Sequence, residues 1–279
     1  MRRIPARYCT IIVLSVALLS VCFIGDSLSI EEKVYIHFID VGYADAILIE
    51  IPGEGSILVD TGSEEYSDKL TTYLKNVGVK ELHTLILTHP HKNHFGGISS
   101  VMEDFKVHRF FHNGDTGRAE EGYSELIKWI NRRGLYGIVL RRGYDVKTSL
   151  KTLKIKVLNP EALLGDANEN SIALYVKYKD TSFFLTGDID TKQQDEIINK
   201  FPGLEAVDLV QVPHHGGKVS KKFSEFFKDK IFIISTGENK WGAPSQEDLD
   251  KLHGKVLRTD KKGNIIVESD GEKVRIFNE

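Results

Sequence analysis

Cysteine is almost missing from this 279-residue chain, and its two copies, Cys9 and Cys22, both lie near the start. A chain beginning near Ile30 has none, so no disulfide framework is available and the fold must be held by its core. A surplus of charge is missing too. The formal net charge is −3, from 37 lysines and arginines against 40 aspartates and glutamates. So mild an acidity excludes a global attraction to nucleic acid and leaves only local basic clusters for that purpose. There is no stripe of basic residues interleaved with aromatics, of the kind that tracks a single strand. Proline- and serine-rich linkers and internal repeats are also absent. One domain is therefore the organisation expected for the roughly 250 residues that follow the first segment.

Long apolar runs are scarce. The run Thr10 to Ile24 has about 15 residues, short of the roughly 20 that a comfortable membrane span needs. It follows MRRIPAR, with three arginines and no acid, and precedes Ser27 and Ser29. This order makes residues 1–29 a secretory signal and predicts an exported protein, extracellular or in the cell envelope. The alternative is an uncleaved anchor through residues 10–24, which would be the chain's only contact with a membrane. Leu19-Ser20-Val21-Cys22 has the outline of a lipidation site, but bulky Val21 before the cysteine argues against one. Cleavage would remove Arg2, Arg3, Arg7 and Asp26. The basic count becomes 37 − 3 = 34, the acidic 40 − 1 = 39, and the charge −5.

Beyond that segment, β-rich runs alternate with amphipathic ones. Residues 33–39, 46–51 and 56–60 read as strands, separated by the turns DVGYAD and PGEG. Tyr66, Leu70, Tyr73, Leu74 and Val77 recur at three- and four-residue spacing and predict a helix over 64–77. A buried strand is expected at 82–88, a helix at 95–105, a strand at 107–112 and a helix ending near Gly134. From Leu150 the chain turns strand-rich, with strands at 153–158, 171–179 and 182–186. Helices at 191–200, 221–227 and 246–252 then alternate with strands at 207–212, 231–235 and 256–259, before a final pair around Asp270-Gly271. Two strand-rich halves, each with helices, predict two sheets packed face to face with helices outside. Polar clusters that directly follow strands would then gather along one edge.

Four clusters do so: Asp60 in ILVDTG, the stretch THPHKNHFGG from Thr88 to Gly97, Asp188 in FFLTGDID, and His214-His215 in VQVPHHGG. Imidazole nitrogens bind Zn²⁺, Mn²⁺ or iron at neutral pH, and carboxylates bridge two ions. His89 and His91, two apart in an extended segment, point to the same side. His94, at the next helix start, can reach a second point nearby. Other residues have plainer readings. His37 and His83 flank apolar strands; His108, His112 and His253 lack partners at ligand spacing; Trp129 falls on a core-facing helix stripe. Trp241 adjoins Gly242-Ala243-Pro244 and would line a pocket mouth. Lys218, Lys221-Lys222, Lys240 and Arg141-Arg142 could form a phosphate-binding rim, although singly such residues are more often solvated surface groups.

THPHKNHFGG resembles the HxHxDH signature of the metallo-β-lactamase fold, and ILVDTG and LTGD resemble its other blocks. More narrowly, HFIDVGYADAILIE, NSIALYVKY, TGDID, VPHHGG and WGAPSQEDL with LRTDKKGNIIV are similar to the hydrolase domain of DNA-uptake competence proteins and its small exported relatives. The similarity runs from about Lys33 to Ile276. It implies an α/β (α+β) fold, the αββα sandwich of two mixed β-sheets with helices on the outside, over residues 30–279. It implies one or two ions of Zn²⁺ or Mn²⁺ and hydrolysis of a phosphodiester or another ester by metal-activated water. Carried over by residue, His89, His91, His94, Asp188 and His214 would be metal ligands, with Asp188 bridging. Asp60 would buttress the site, and Asn93 and His215 would complete the catalytic set. Which member of the His214-His215 pair binds is open, and the other could donate a proton. Asp40 and Asp45 belong to the DVGxGD block, where capping a tight turn explains them equally well.

Two positions depart from the family pattern. Asn93 stands where an aspartate is usual, and its neutral amide is a weaker ligand. Ala243 stands where relatives have a histidine before proline. The absence of a ligand histidine at Asn170-Ser171, by contrast, fits the narrower group. The expected function is an exported metal-dependent hydrolase of phosphodiesters, with nucleic acid implied by resemblance alone. The alternatives are a binding or regulatory module that keeps the fold without catalysis, and a carboxylic ester, lactone or β-lactam hydrolase. Oligomeric state is not indicated.

Overall fold

Alternation of apolar residues along the strands decides the layers. Ile47, Ile49 and Ile51 point one way and Leu48 the other; Ile57 and Val59 oppose Leu58 in the same manner. In the second half, Phe183 and Leu185 oppose Phe184. The computed structural model describes residues 33–278 apart from Glu54. The expected signal or anchor, with Cys9 and Cys22, lies outside the described residues. No helix among the described residues is long and apolar enough to cross a membrane.

Eight strands form the first sheet, in the spatial order Val274–Asn278, Ile265–Ser269, Val34–Phe38, Ile47–Ile51, Gly55–Val59, Thr84–Leu87, Phe110–His112 and Gly137–Val139. Seven form the second: Lys255–Arg258, Ile231–Ile234, Leu209–Gln211, Thr181–Leu185, Ala173–Tyr178, Leu153–Asn159 and Asp145–Val146. Between the sheets lie Ile36, Phe38, Ile49 and Ile86 from the first and Val157, Leu174, Val176 and Phe183 from the second. Each such side chain contributes about 1.5–3 kcal/mol by burial. Outside the first sheet, Leu70, Leu74, Ile98, Val101 and Ile130 of the helices cover Leu48, Leu58 and Leu85. Outside the second, Ile197, Ile198 and Phe223 cover Phe184, Val210 and Phe232. The order is αββα, with both sheets mixed, as expected.

Several details differ from the sequence expectation. The helix expected at 95–105 is two, Lys92–Phe95 and Ile98–Asp104, and the strand expected at 107–112 is Lys106–Val107 and Phe110–His112. The run 82–88 is two strands, Glu81–Leu82 and Thr84–Leu87, because Glu81–Leu82 leaves the sheet to pair with Lys106–Val107. The short edge strands Gly137–Val139 and Asp145–Val146 carry too few residues for a period to show. The closing pair does not extend the second half: Ile265–Ser269 pairs antiparallel with Val34–Phe38 in the first sheet.

Each sheet contains one parallel block. In the first it comprises Gly55–Val59, Thr84–Leu87, Phe110–His112 and Gly137–Val139. In the second it comprises Thr181–Leu185, Leu209–Gln211, Ile231–Ile234 and Lys255–Arg258. Asp60, the Thr88 segment, Asp188 and His214-His215 all leave C-terminal ends of these strands, where open α/β sheets bind ligands.

Candidate active site

Asp60 follows its strand with φ +59°, a left-handed conformation that aspartate tolerates better than most residues. The turn buries its carboxylate beside the neighbouring strand end. Oδ1 accepts from the Thr88 amide at 2.8 Å, and Oδ2 accepts from the Thr88 hydroxyl at 2.6 Å. Oδ2 also lies 2.7 Å from His94 Nδ1, so that nitrogen carries the proton and His94 turns Nε2 into the site. Thr88 Oγ1, having given its hydrogen to Asp60, accepts from His89 Nδ1 at 3.0 Å. One carboxylate thus sets the tautomer of two histidines.

Asp188 is where they converge. Its Oδ2 lies 3.6 Å from His89 Nε2, 3.3 Å from His94 Nε2 and 3.6 Å from His215 Nε2. His91 Nδ1 lies 2.9 Å from His89 Nε2. The ligand atoms of His89, His91 and Asp188 form one group and those of His94, Asp188 and His215 a second, each within 4.8 Å. Buried His94 Nε2 and Asp188 Oδ1 have no hydrogen-bond partner among the described residues. Orphaned acceptors in an imidazole–carboxylate set fit a divalent cation.

The His214-His215 pair sorts itself by backbone. Both residues are left-handed at φ +54°, and the turn swings His215 inward while His214 remains partly exposed. His215 Nδ1 donates to the Ser235 carbonyl at 3.0 Å. The sequence expectation placed His214 with the ligands and His215 in the catalytic role. That choice was open, and in the structure it is His215 that faces Asp188, while His214 Nδ1 faces Asp190 Oδ1 at 3.7 Å. Asn93 reaches His215, with Nδ2 2.8 Å from Nε2.

This arrangement of strand ends has known counterparts. The metallo-beta-lactamase superfamily profile matches residues 39–237. The chain belongs to the metallo-beta-lactamase superfamily. It is 32% identical to ComE operon protein 3 of Bacillus subtilis over 87% of this chain and 34% of that protein. It is 28% identical to Recombination protein 2 of Haemophilus influenzae (77% and 26%) and 23% identical to Competence protein ComA of Neisseria gonorrhoeae (84% and 32%). The expected kinship with competence proteins is borne out, and the chain spans about a third of these relatives' length or less. A solved structure from Parabacteroides distasonis, described as a metal-dependent hydrolase, shares the fold with TM-score 0.50 at 17% identity, over 81% of this chain and 93% of that one.

Electrostatics in this superfamily member's site are polarised by burial. Burial, then His94, pushes the His89 imidazole well below its usual range. Burial would lower His94 likewise, but Asp188 and Asp60 hold it well above. Burial would raise Asp188, yet His215 and His94 hold its carboxyl well below the usual range. A position that attracts a proton this strongly can accept a metal cation in the proton's place. Tyr43, pushed up to about 12 by burial and then by Asp188 and Asp45, remains a phenol.

Above the cluster opens a cleft of about 730 Å³. Tyr43 packs on His215 at 4.4 Å between ring centroids, and Trp241, 66% exposed, lies 5.0 Å from Tyr43. Lys92 and Lys218 line the cleft, Lys218 paired with Asp190 at 3.0 Å, and Lys240 lies over Trp241. Ala243 also lines it, its backbone tied to Asn239. Arg141 and Arg142 do not serve the rim: Arg141 donates to the Asn113 and Leu140 carbonyls, and Arg142 pairs with Glu161 and Glu196. Lys221 and Lys222 pair with Glu225 and Asn199. A larger groove of about 860 Å³ along Asp145 to Lys156 carries lysines but no histidine.

Sequence reasoning left Asp45 undecided between capping a turn and a role at the site. The capping role suits Asp40, which accepts from the Gly42 amide and pairs with Lys69. Asp45 instead is buried, accepts from Gln211 at 2.9 Å, and groups with Asp60 and His94. Its setting between Ala44 and Ala46 was the available signal, since a charged residue inside an apolar run needs a buried partner. At Asn170-Ser171, Ser171 Oγ accepts from the Asp188 amide at 3.1 Å and Asn170 donates to Asp115, so the segment positions Asp188.

Proposed function

We propose that the chain is an exported, metal-dependent hydrolase of phosphodiester bonds. The observation that carries this reading is the convergence of three imidazole Nε2 atoms on one oxygen of Asp188. His89, His91 and Asp188 would hold an ion, with His94 and His215 beside it. Zn²⁺ or Mn²⁺, when bound, supplies a Lewis acid and lowers the pKa of water to near neutrality. Asp60 and Thr88 keep His89 and His94 in the tautomers that present Nε2. His214, in the cleft wall beside Asp190, would pass a proton to the departing oxygen. Lys92 and Lys218 line the mouth beside Glu120 and Glu238, and the Tyr43–Trp241 wall offers a flat apolar surface to a nucleobase. These features favour a phosphate diester of nucleic acid or nucleotide type over an ester, lactone or β-lactam. Export rests on the charged, apolar, small-residue order of residues 1–29.

A second reading, a binding module without catalysis, is favoured by Asn93 in the place of a carboxylate. Hydrolysis assays on the metal-loaded and chelator-treated chain separate the two. The substrates are a bis-aryl phosphate, a short single-stranded oligonucleotide, an aryl ester and a β-lactam. Chelator-sensitive, metal-restored cleavage of the first two is expected. Cleavage of the ester or lactam alone would reassign the substrate, and no cleavage of any would favour the binding module.

A further inference from the structure

We infer that this chain holds one divalent ion, on the His89–His91–Asp188 side, and that the Asn93 amide occupies the hydrogen-bonding position a second ion would need. The inference rests on the metal-dependent reading above and specifies it.

The two halves of the cluster differ in how their nitrogens are satisfied. His215 Nδ1 faces a carbonyl, that of Ser235 at 3.0 Å, and a carbonyl can only accept. The proton is therefore on Nδ1, and Nε2 carries the lone pair. Asn93 Nδ2 lies 2.8 Å from that nitrogen and 3.4 Å from the Tyr43 carbonyl oxygen. Both neighbours are acceptors, which orients the amide with its NH₂ toward them. The N–H donated to His215 Nε2 uses the lone pair that a cation would take. An aspartate at 93 could make no such bond and would add a negative charge there.

On the other side, the donor to the His89 Nε2 lone pair is His91 Nδ1, itself a ligand group. An imidazole can move its proton to its other ring nitrogen and turn a lone pair to the ion, which an amide NH₂ cannot do. The Asp60–Thr88–His89 relay leaves the His89 Nε2 lone pair facing inward, toward His91 Nδ1 at 2.9 Å and Asp188 Oδ2 at 3.6 Å. One cation can meet these three atoms together.

The test is metal content of the whole chain by elemental analysis, with Mn²⁺ or Co²⁺ titration by calorimetry. One ion per wild-type chain is expected. Asn93→Asp should take up two, the second at least about tenfold tighter than any second ion in the wild type. His215→Ala should keep its single ion, and His91→Ala should lose it. Two tight ions per wild-type chain would overturn the inference while leaving the metal-dependent reading standing. A single ion in a folded Asn93→Asp chain, or an ion lost from folded His215→Ala, would also overturn it. No ion in any form would remove both. Should Asn93→Asp fail to fold, wild-type stoichiometry with the two histidine variants still decides.

Discussion

The strand Thr84–Leu87 has a histidine beyond each end, and the two live in different worlds. His83, before it, stacks on His108 with centroids 5.3 Å apart. Both approach Glu81, His108 Nε2 at 3.0 Å and His83 Nε2 at 3.8 Å. His89, beyond the other end, meets His91 and Asp188. Each end therefore offers two imidazoles and a carboxylate. The His83, His108 and Glu81 side chains are 42%, 35% and 42% exposed, whereas those of His89 and Asp188 are 0% and 3%. Water screens the first set, whose attractions are worth little. Burial couples the second, so that each group's protonation depends on the others. Histidine density does not make a site; a shared, desolvated carboxylate ringed by imidazoles that a second carboxylate orients does.

The comparison can be broken most forcefully at Asp188. Asp188→Asn should abolish tight metal binding and lower any phosphodiesterase activity by at least about a hundredfold, in line with the several kcal/mol a Lewis-acid ion contributes. Elemental analysis and initial rates would show it, and an unchanged metal content would refute the buried cluster as the site. Asp60→Ala should leave Thr88 and His94 Nδ1 without their acceptor. Stability in denaturant is expected to fall by about 3 kcal/mol, and metal affinity by about 10–100-fold.

His112 sharpens the contrast because it is buried at the same strand ends without belonging to the cluster. Burial, then Arg141, pushes its imidazole down to about 4. The unfolded chain binds this proton from about pH 6.5 downward and the folded chain only near 4, so stability should fall as pH drops through that window. The loss attributable to His112 is about 3 kcal/mol. Denaturation midpoints against pH should be flatter for His112→Gln; identical profiles would exclude the effect. Trp241→Ala should raise KM for an oligonucleotide about tenfold, with kcat little changed, as expected for a lost base-stacking surface. An equal loss on a bis-aryl phosphate would assign Trp241 to something other than base stacking. Least of all is expected at the exposed end: His83→Ala and His108→Ala should leave metal content and activity unchanged.

What was legible in the sequence followed from local rules. The helix Thr191–Lys200 matches its expected bounds because its apolar period is uninterrupted. The chemistry-bearing residues stand out because each follows an apolar strand. Less was legible where distant segments meet. Nothing local pairs Asn93 with His215, 122 residues apart, or lays Trp241 against Tyr43. The order within the histidine pair was undecidable, because consecutive left-handed residues rather than side-chain type aim His215 inward. The split of Asp40 from Asp45 needed burial to be seen.

The pairing of Val34–Phe38 with Ile265–Ser269 has a consequence for how the protein is made. The first strand to be synthesised among those described must wait, one edge open, for a partner from the opposite end of the domain. Loop closure over such a span is slow, and a parallel block on either side adds further non-local pairings. The first sheet is therefore completed only when its closing hairpin, Ile265–Ser269 with Val274–Asn278, has been synthesised, which makes that hairpin the last clasp to fasten.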